Sequence, residues 1–260
     1  MRLSAAVLLL ILAAVPLFAA DDEVTLPVVG YLQLSPDLIY RTEFTVTNHR
    51  NARQLVELHL ISDGSDDFIT GFTLNANETK FLPGFPQAGR GNFIGALRVV
   101  AMKEHDVPDP EGRIDAKAFI VAEHPISRGE TRQEIEAVAQ SEYFQAEAVF
   151  LGARHSMGTG KYTNVGIANL DATRSQTFVI EYERVSPPVT VTVAPLSTVQ
   201  VRITGPGVSY RALRVRPTWA MVSDGGGLPW VAYSSTVDTH TGDAFSGMRV
   251  PAGSYYDFIQ

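Results

Sequence analysis

The sequence predicts an all-β protein, built as two tandem antiparallel β-sandwich domains related by duplication. Three observations carry this reading. Apolar and polar residues alternate with a period of two through most of the chain, Gly, Pro, Asn and Asp break it into short runs, and the same blocks return in the same order. A period of two puts one face of each strand in a core and the other in water. Short strands between frequent turns belong to a sandwich rather than to a parallel α/β sheet.

The first element is a leader, residues 1–20. Arg2 precedes the apolar run Ala5–Val15, and Pro16 and Ala19-Ala20 lead into Asp21-Asp22-Glu23, the layout of a secretory signal peptide. The run is short for a hydrocarbon core of about 30 Å, so cleavage near Ala20 is expected, with no transmembrane anchor in the mature chain. Localisation is therefore predicted as exported, periplasmic or extracellular. There are no cysteines, so each core must hold by packing alone, and thiol chemistry is excluded. The net charge of −7 argues against nucleic acid as a partner.

Residues 21–127 form the first predicted domain and 146–253 the second. In the first, Thr42, Phe44, Val46 and Asn48 alternate along one strand; Thr163, Val165, Ile167 and Asn169 do so in the second. A polar turn follows each, then a second alternating strand, Val56, Leu58 and Leu60 or Phe178, Ile180 and Tyr182. Thr73–Phe81 matches Thr192–Val201 with one gap, Ala96-Leu97-Arg98-Val99 returns as Ala212-Leu213-Arg214-Val215, and Ala118–Val121 aligns with Trp230–Tyr233. Pro187-Pro188 ahead of Val189–Val193 marks an edge strand, where a missing amide is tolerated. Residues 128–145 break the pattern. They are charged, rich in helix formers, and place Ile135, Val138 and Ala139 at helical spacing, so a linker with a short helix is expected there.

No motif predicts catalysis, a cofactor or a metal. Asp63-Gly64-Ser65-Asp66-Asp67 resembles the start of a calcium loop, but Phe68 and Leu74 stand where the glycine and bidentate glutamate belong, so a polar hairpin turn is expected. The six histidines, His49, His59, His105, His124, His155 and His240, are spread along the chain. No pair has helical zinc spacing, and His59, in register with Glu57, reads as solvated surface. No Gly-x-Ser-x-Gly frame is present, and Gly158–Tyr162 lacks the first glycine of a phosphate loop. Trp219, Trp230 and Tyr233 read as core aromatics. The tail at 254–260 carries the candidate partner-binding residues Tyr255, Tyr256 and Phe258, three aromatics with Asp257 as the one charge among them.

With its opening strands ending at Asn48 and Asn169 and its repeated Ala-Leu-Arg-Val, the unit resembles the Ig-like or fibronectin-III-like sandwich repeats of exported bacterial proteins. That resemblance implies spacers, adhesion modules or protein-binding units. The two-domain layout is also similar to periplasmic pilus chaperones, whose paired basic anchor would fall on Arg41 and Lys117. The function expected is a non-enzymatic binding or structural role through sheet edges and loops, with protein or cell-surface polysaccharide as partner. The alternative is a carbohydrate-binding module or small carbohydrate-active enzyme, which would show a line of exposed aromatics or two carboxylates about 5–10 Å apart in a groove.

Overall fold

A computed structural model describes residues 21–84, 91–124, 129–153, 160–182, 187–203, 211–218, 227–238 and 244–250. The leader, the aromatic tail, Trp219, His155 and His240 lie outside the described residues. Among those described the chain is all-β, with one 3-10 turn at Gln140–Glu142 and no helix long and apolar enough to cross a membrane.

The first strand set is β1 (Glu23–Ser35), β2 (Leu38–Asn48), β3 (Gln54–Ser62), β4 (Ser65–Leu74), β5 (Thr79–Leu82), β6 (Phe93–Glu104), β7 (Val107–Pro108), β8 (Ile114–His124), β9 (Gly129–Glu136) and β10 (Val138–Ala139). They pair antiparallel in the order β4-β3-β6-β1-β2-β8-β9, with β10 on β1, β5 on β2 and β7 on β6. Strand β1 shifts register between Leu26 and Val29. Its start runs between β6 and β10, while its end pairs with β2 from Tyr31 to Ser35. A bulge bends a strand, and here it lets β1 serve two layers. Phe44, Val46, Val56, Leu58, Leu60, Leu97 and Val99 fill the space between them, on the faces that the alternation predicts.

The second set is β11 (Ala148–Ala153), β12 (Lys161–Asn169), β13 (Gln176–Tyr182), β14 (Val189–Val193), β15 (Ser197–Ile203), β16 (Arg211–Pro217), β17 (Trp230–Asp238), β18 (Ala244–Ser246) and β19 (Met248–Val250). It forms two sheets, β14-β13-β16-β11-β19 and β15-β12-β17-β18. Val165, Ile167, Phe178, Ile180, Tyr182, Leu213, Val215 and Trp230 pack between them. Strand β14, after Pro187-Pro188, lies at a sheet edge. The pairing orders match strand for strand: β4-β3-β6-β1-β10 and β5-β2-β8-β9 correspond to β14-β13-β16-β11-β19 and β15-β12-β17-β18.

The two asparagines that end β2 and β12 do the same work. Asn48 Nδ2 donates to the carbonyls of Ala52 and Asn75, both at 2.8 Å, and its Oδ1 accepts from the Arg50 amide at 2.9 Å. Asn169 Nδ2 donates to Arg174 at 2.8 Å and to Val193 at 3.1 Å, and its Oδ1 accepts from the Asp171 amide at 3.0 Å. Both side chains are fully buried, so each pins its turn to the end of the fourth strand of its set. Asn48→Ala or Asn169→Ala is expected to cost about 2 kcal/mol, because buried backbone groups lose their partners. Urea unfolding measures this; a loss below about 0.5 kcal/mol, as at ordinary surface sites, would contradict the role.

The helical expectation for 128–145 is corrected. Residues Gly129–Glu136 form β9, paired with β8 from Lys117↔Glu136 to His124↔Gly129. Gln133 and Ile135 are buried while Arg132, Glu134 and Glu136 are exposed, a period of two that the helical spacing of Ile135, Val138 and Ala139 obscured. The free edge of β8 offers a full ladder of backbone partners, and such tertiary pairing overrides weak helix propensity. Residues Gly129–Glu136 and Val138–Ala139 are therefore part of the first sheet, and a 3-10 turn at Gln140–Glu142 follows them.

Asp63 and Gly64 adopt left-handed φ of 51° and 85° between β3 and β4, the two-residue hairpin turn for which Asp-Gly is favoured. The two sets are joined by a seam of Ile61, Ala96, Val138, Tyr143, Ala168 and Val231. The Trp230 amide donates to the Tyr143 carbonyl at 3.0 Å, and Gly64 N–H donates to Leu196 at 3.0 Å.

Candidate functional site

Among the described residues, a concavity lies where the first strand set stays open and the second set approaches it. Along β2 the face that buries Phe44 and Val46 continues to Thr42 and Tyr40, and on β8 and β9 the same face presents Ile120, Ala122, Thr131 and Gln133. The β1–β2 hairpin adds Leu32 and Leu34. Opposite stands the outer face of the sheet β15-β12-β17-β18, with Tyr162 and Asn164 on β12, Gln200 on β15, and Tyr233, Ser235 and Val237 on β17. The groove between them has a volume of ≈ 280 Å³, near the lower bound of about 300 Å³ for small-ligand pockets.

Its floor is anchored by polar contacts between neutral groups. Gln200 Nε2 donates to the Tyr233 hydroxyl at 2.9 Å. Ser235 Oγ donates to Gln133 Oε1 at 2.8 Å, while Gln133 Nε2 is buried without an acceptor. Burial pushes the Tyr233 phenol well above its ordinary pKa. Tyr40 is also raised, first by burial and then by the nearby Tyr162 phenol. The Arg202 guanidinium caps the Tyr162 ring at 3.7 Å from its centroid, a cation–π contact that orients it.

Arg41 is the charged member of the lining. Its Nε donates to Glu123 Oε1 at 2.5 Å, and its Nη1 reaches Glu43 and the Pro83 carbonyl. Burial opposes its charge, but the bonds to Glu43 and Glu123 outweigh it and raise the pKa. Lys117 pairs with Glu134 at 2.8 Å. The two basic residues suggested as chaperone-like anchors are thus each held by carboxylates of their own sheet, and only Arg41 lines the groove. No carboxylate lines the groove among the described residues.

Of the residues singled out from sequence, Trp230 is fully buried as expected and Tyr233 is buried, although Tyr233 also faces the groove from β17. Tyr255, Tyr256 and Phe258 lie outside the described residues. Sequence reasoning missed Tyr40, Tyr162, Gln133 and Gln200. The available signal was the continuation of β2's inward alternation past Phe44 to Thr42 and Tyr40. The other three required knowledge of which outer faces meet. A scan against protein-family models and a search of curated proteins returned no match for this chain.

Proposed function

We propose that this chain is an exported, non-enzymatic binding or structural protein made of two Ig-like sandwich units. The units are residues 21–127 extended by β9 and β10, and 146–253, and they descend from one ancestor by duplication. The matching pairing orders and the shared roles of Asn48 and Asn169 support common descent; the layout of residues 1–20 supports export.

The observation that carries the binding role is the groove between the units. Its apolar walls carry neutral hydroxyl and amide groups, which suit an extended polypeptide: apolar side chains enter, and main-chain amides meet Tyr40, Asn164 or Gln133. A second reading, a carbohydrate-binding module, draws on the paired phenols of Tyr40 and Tyr162 beside Asn164 and Gln200.

Asn164→Trp fills the groove from a half-buried strand position. The test uses mature chain, its Asn164→Trp form and a Phe144→Ser control, as bait for exported-fraction proteins and for a glycan panel. A polypeptide retained by the parent and the control but lost with Asn164→Trp is the expected result. Glycan retention with the same pattern would move the function to the second reading. Equal capture by the parent and Asn164→Trp would overturn the groove as the working surface.

A further inference from the structure

Away from the groove, the outer face of β4-β3-β6 carries a second polar cluster. Glu57 on β3 is only 2% exposed. Its Oε1 lies 2.5 Å from His105 Nδ1, in the turn after β6, and its Oε2 lies 3.6 Å from His59 Nε2. That second oxygen is buried and has no hydrogen-bond partner. Asp106 Oδ2 stands 3.4 Å from His105 Nε2. Arg98, cross-strand from His59, pairs through Nη2 with Asp66, and its Nε is buried without a hydrogen-bond partner.

Burying a carboxylate without full pairing is costly. His105, itself 66% exposed, meets only one of the Glu57 oxygens. Two imidazoles thus face the Glu57 carboxylate, one to each oxygen, and its Oε2 still lacks a hydrogen bond.

We propose that Glu57, His105 and Asp106 hold a divalent transition-metal cation of the zinc class, with His59 next to it. One ligand atom from each of the three lies within 4.8 Å of the others. Zinc bonds of about 2.0–2.2 Å to nitrogen and oxygen put tetrahedral ligand atoms roughly 3.4 Å apart. The Glu57–His105 contact therefore opens by about 1 Å on binding, which the exposed turn at Asp106, with φ of 61°, can supply. The cation sits against the buried Glu57 carboxylate, whose Oε2 has no hydrogen bond and only His59 within ion-pair reach. A mixed imidazole and carboxylate set favours zinc, cobalt, nickel or copper over calcium and magnesium. Phe68 packs edge-on against both imidazoles, with centroids 5.8 Å from His59 and 5.4 Å from His105. It thereby restricts both rings and shields one side of the site.

The test is a Co²⁺ titration of the full mature chain at neutral pH, read by visible absorption, followed by displacement with Zn²⁺. The expected result is saturable uptake that zinc reverses. Loss of an outer-shell partner alone costs about 10–100-fold in affinity, so His105→Ala and Asp106→Ala should each weaken uptake at least about 10-fold. A His49→Ala control should leave it unchanged. Both ligand substitutions are at exposed positions, but His105→Ala also removes an ion-pair partner of the buried Glu57, so circular dichroism checks the fold of each variant, and Asp106→Ala, which leaves that pair intact, carries the test if His105→Ala unfolds. Absence of saturable uptake in the parent would leave Glu57–His105 as a plain ion pair and overturn the proposal. Equal uptake by the His105→Ala/Asp106→Ala double variant would overturn it too, by placing the metal elsewhere.

Discussion

Replacing Trp230 by alanine is expected to remove about 3–5 kcal/mol of stability, the range for deleting a large buried aromatic. The indole is fully buried, its ring lies 5.1 Å from that of Phe178, and its Nε1–H donates to the Gln145 carbonyl at 3.1 Å. Truncation leaves a cavity between the two sheets of the second set and orphans a carbonyl of the segment that joins the sets. The same residue's backbone amide holds the Tyr143 carbonyl, a bond that alanine keeps, so the loss falls on the core and on the Gln145 carbonyl. Domains are stable by about 5–15 kcal/mol in total, which makes this a loss of a third or more in a typical case. Urea unfolding followed by far-ultraviolet circular dichroism reads it. Trp230→Phe, which keeps an aromatic ring against Phe178 but not the donor, should lose only about 1–2 kcal/mol. Near-equal midpoints for the parent and Trp230→Ala would show that the indole is not at the centre of this core.

Gly166→Ala is the second large effect, and its cause is the opposite, overfilling rather than a void. A Cβ at position 166 would lie 1.8 Å from Tyr233 Cε1 and 2.5 Å from its Cζ. Gly166 and Tyr233 are cross-strand partners on β12 and β17, and the tyrosine ring lies across the glycine. The ring cannot retreat easily, because it packs into the core of the first set and its hydroxyl is held by Gln200. A loss of about 3 kcal/mol is expected, at the upper end for overpacking. Tyr233→Ala should also destabilise, through the cavity it leaves. The double variant should then lose less than the two single losses combined, by about 2 kcal/mol, since the clash disappears with the ring. Strict additivity would mean that the two residues do not meet as described. The pair also bears on the groove, because Tyr233 is part of its floor.

Much of the strand pattern was legible beforehand, and particular residues show why. Phe44, Val46, Val56, Leu58 and Leu60, with Val165, Ile167, Phe178 and Ile180, alternate in the sequence and lie inside. Asp63-Gly64 announced its hairpin through turn chemistry. Both signals are local: they depend on a residue and its near neighbours along the chain. Glu57 and His59 were misread by the same logic. They do alternate onto the outer face of β3, but Glu57 is 2% exposed and the His59 side chain only 16%. Phe68, His59's partner across the β3–β4 hairpin, and the His105 turn cover that face, and the latter is remote in sequence. The strand β9 failed in the same way, because the free edge of β8 decided its conformation.

By itself the sequence determined the strand class, the parity of the core positions and the Asp63-Gly64 hairpin turn. Those follow from a period of two and from short-range backbone chemistry. Only the tertiary structure decided which polar faces are sealed, that Tyr233 of the second set packs into the first across Gly166, and that Tyr40, Gln133, Tyr162 and Gln200 share one groove. Such meetings join residues far apart in the chain, and alternation says which face a side chain takes without saying what lies across from it.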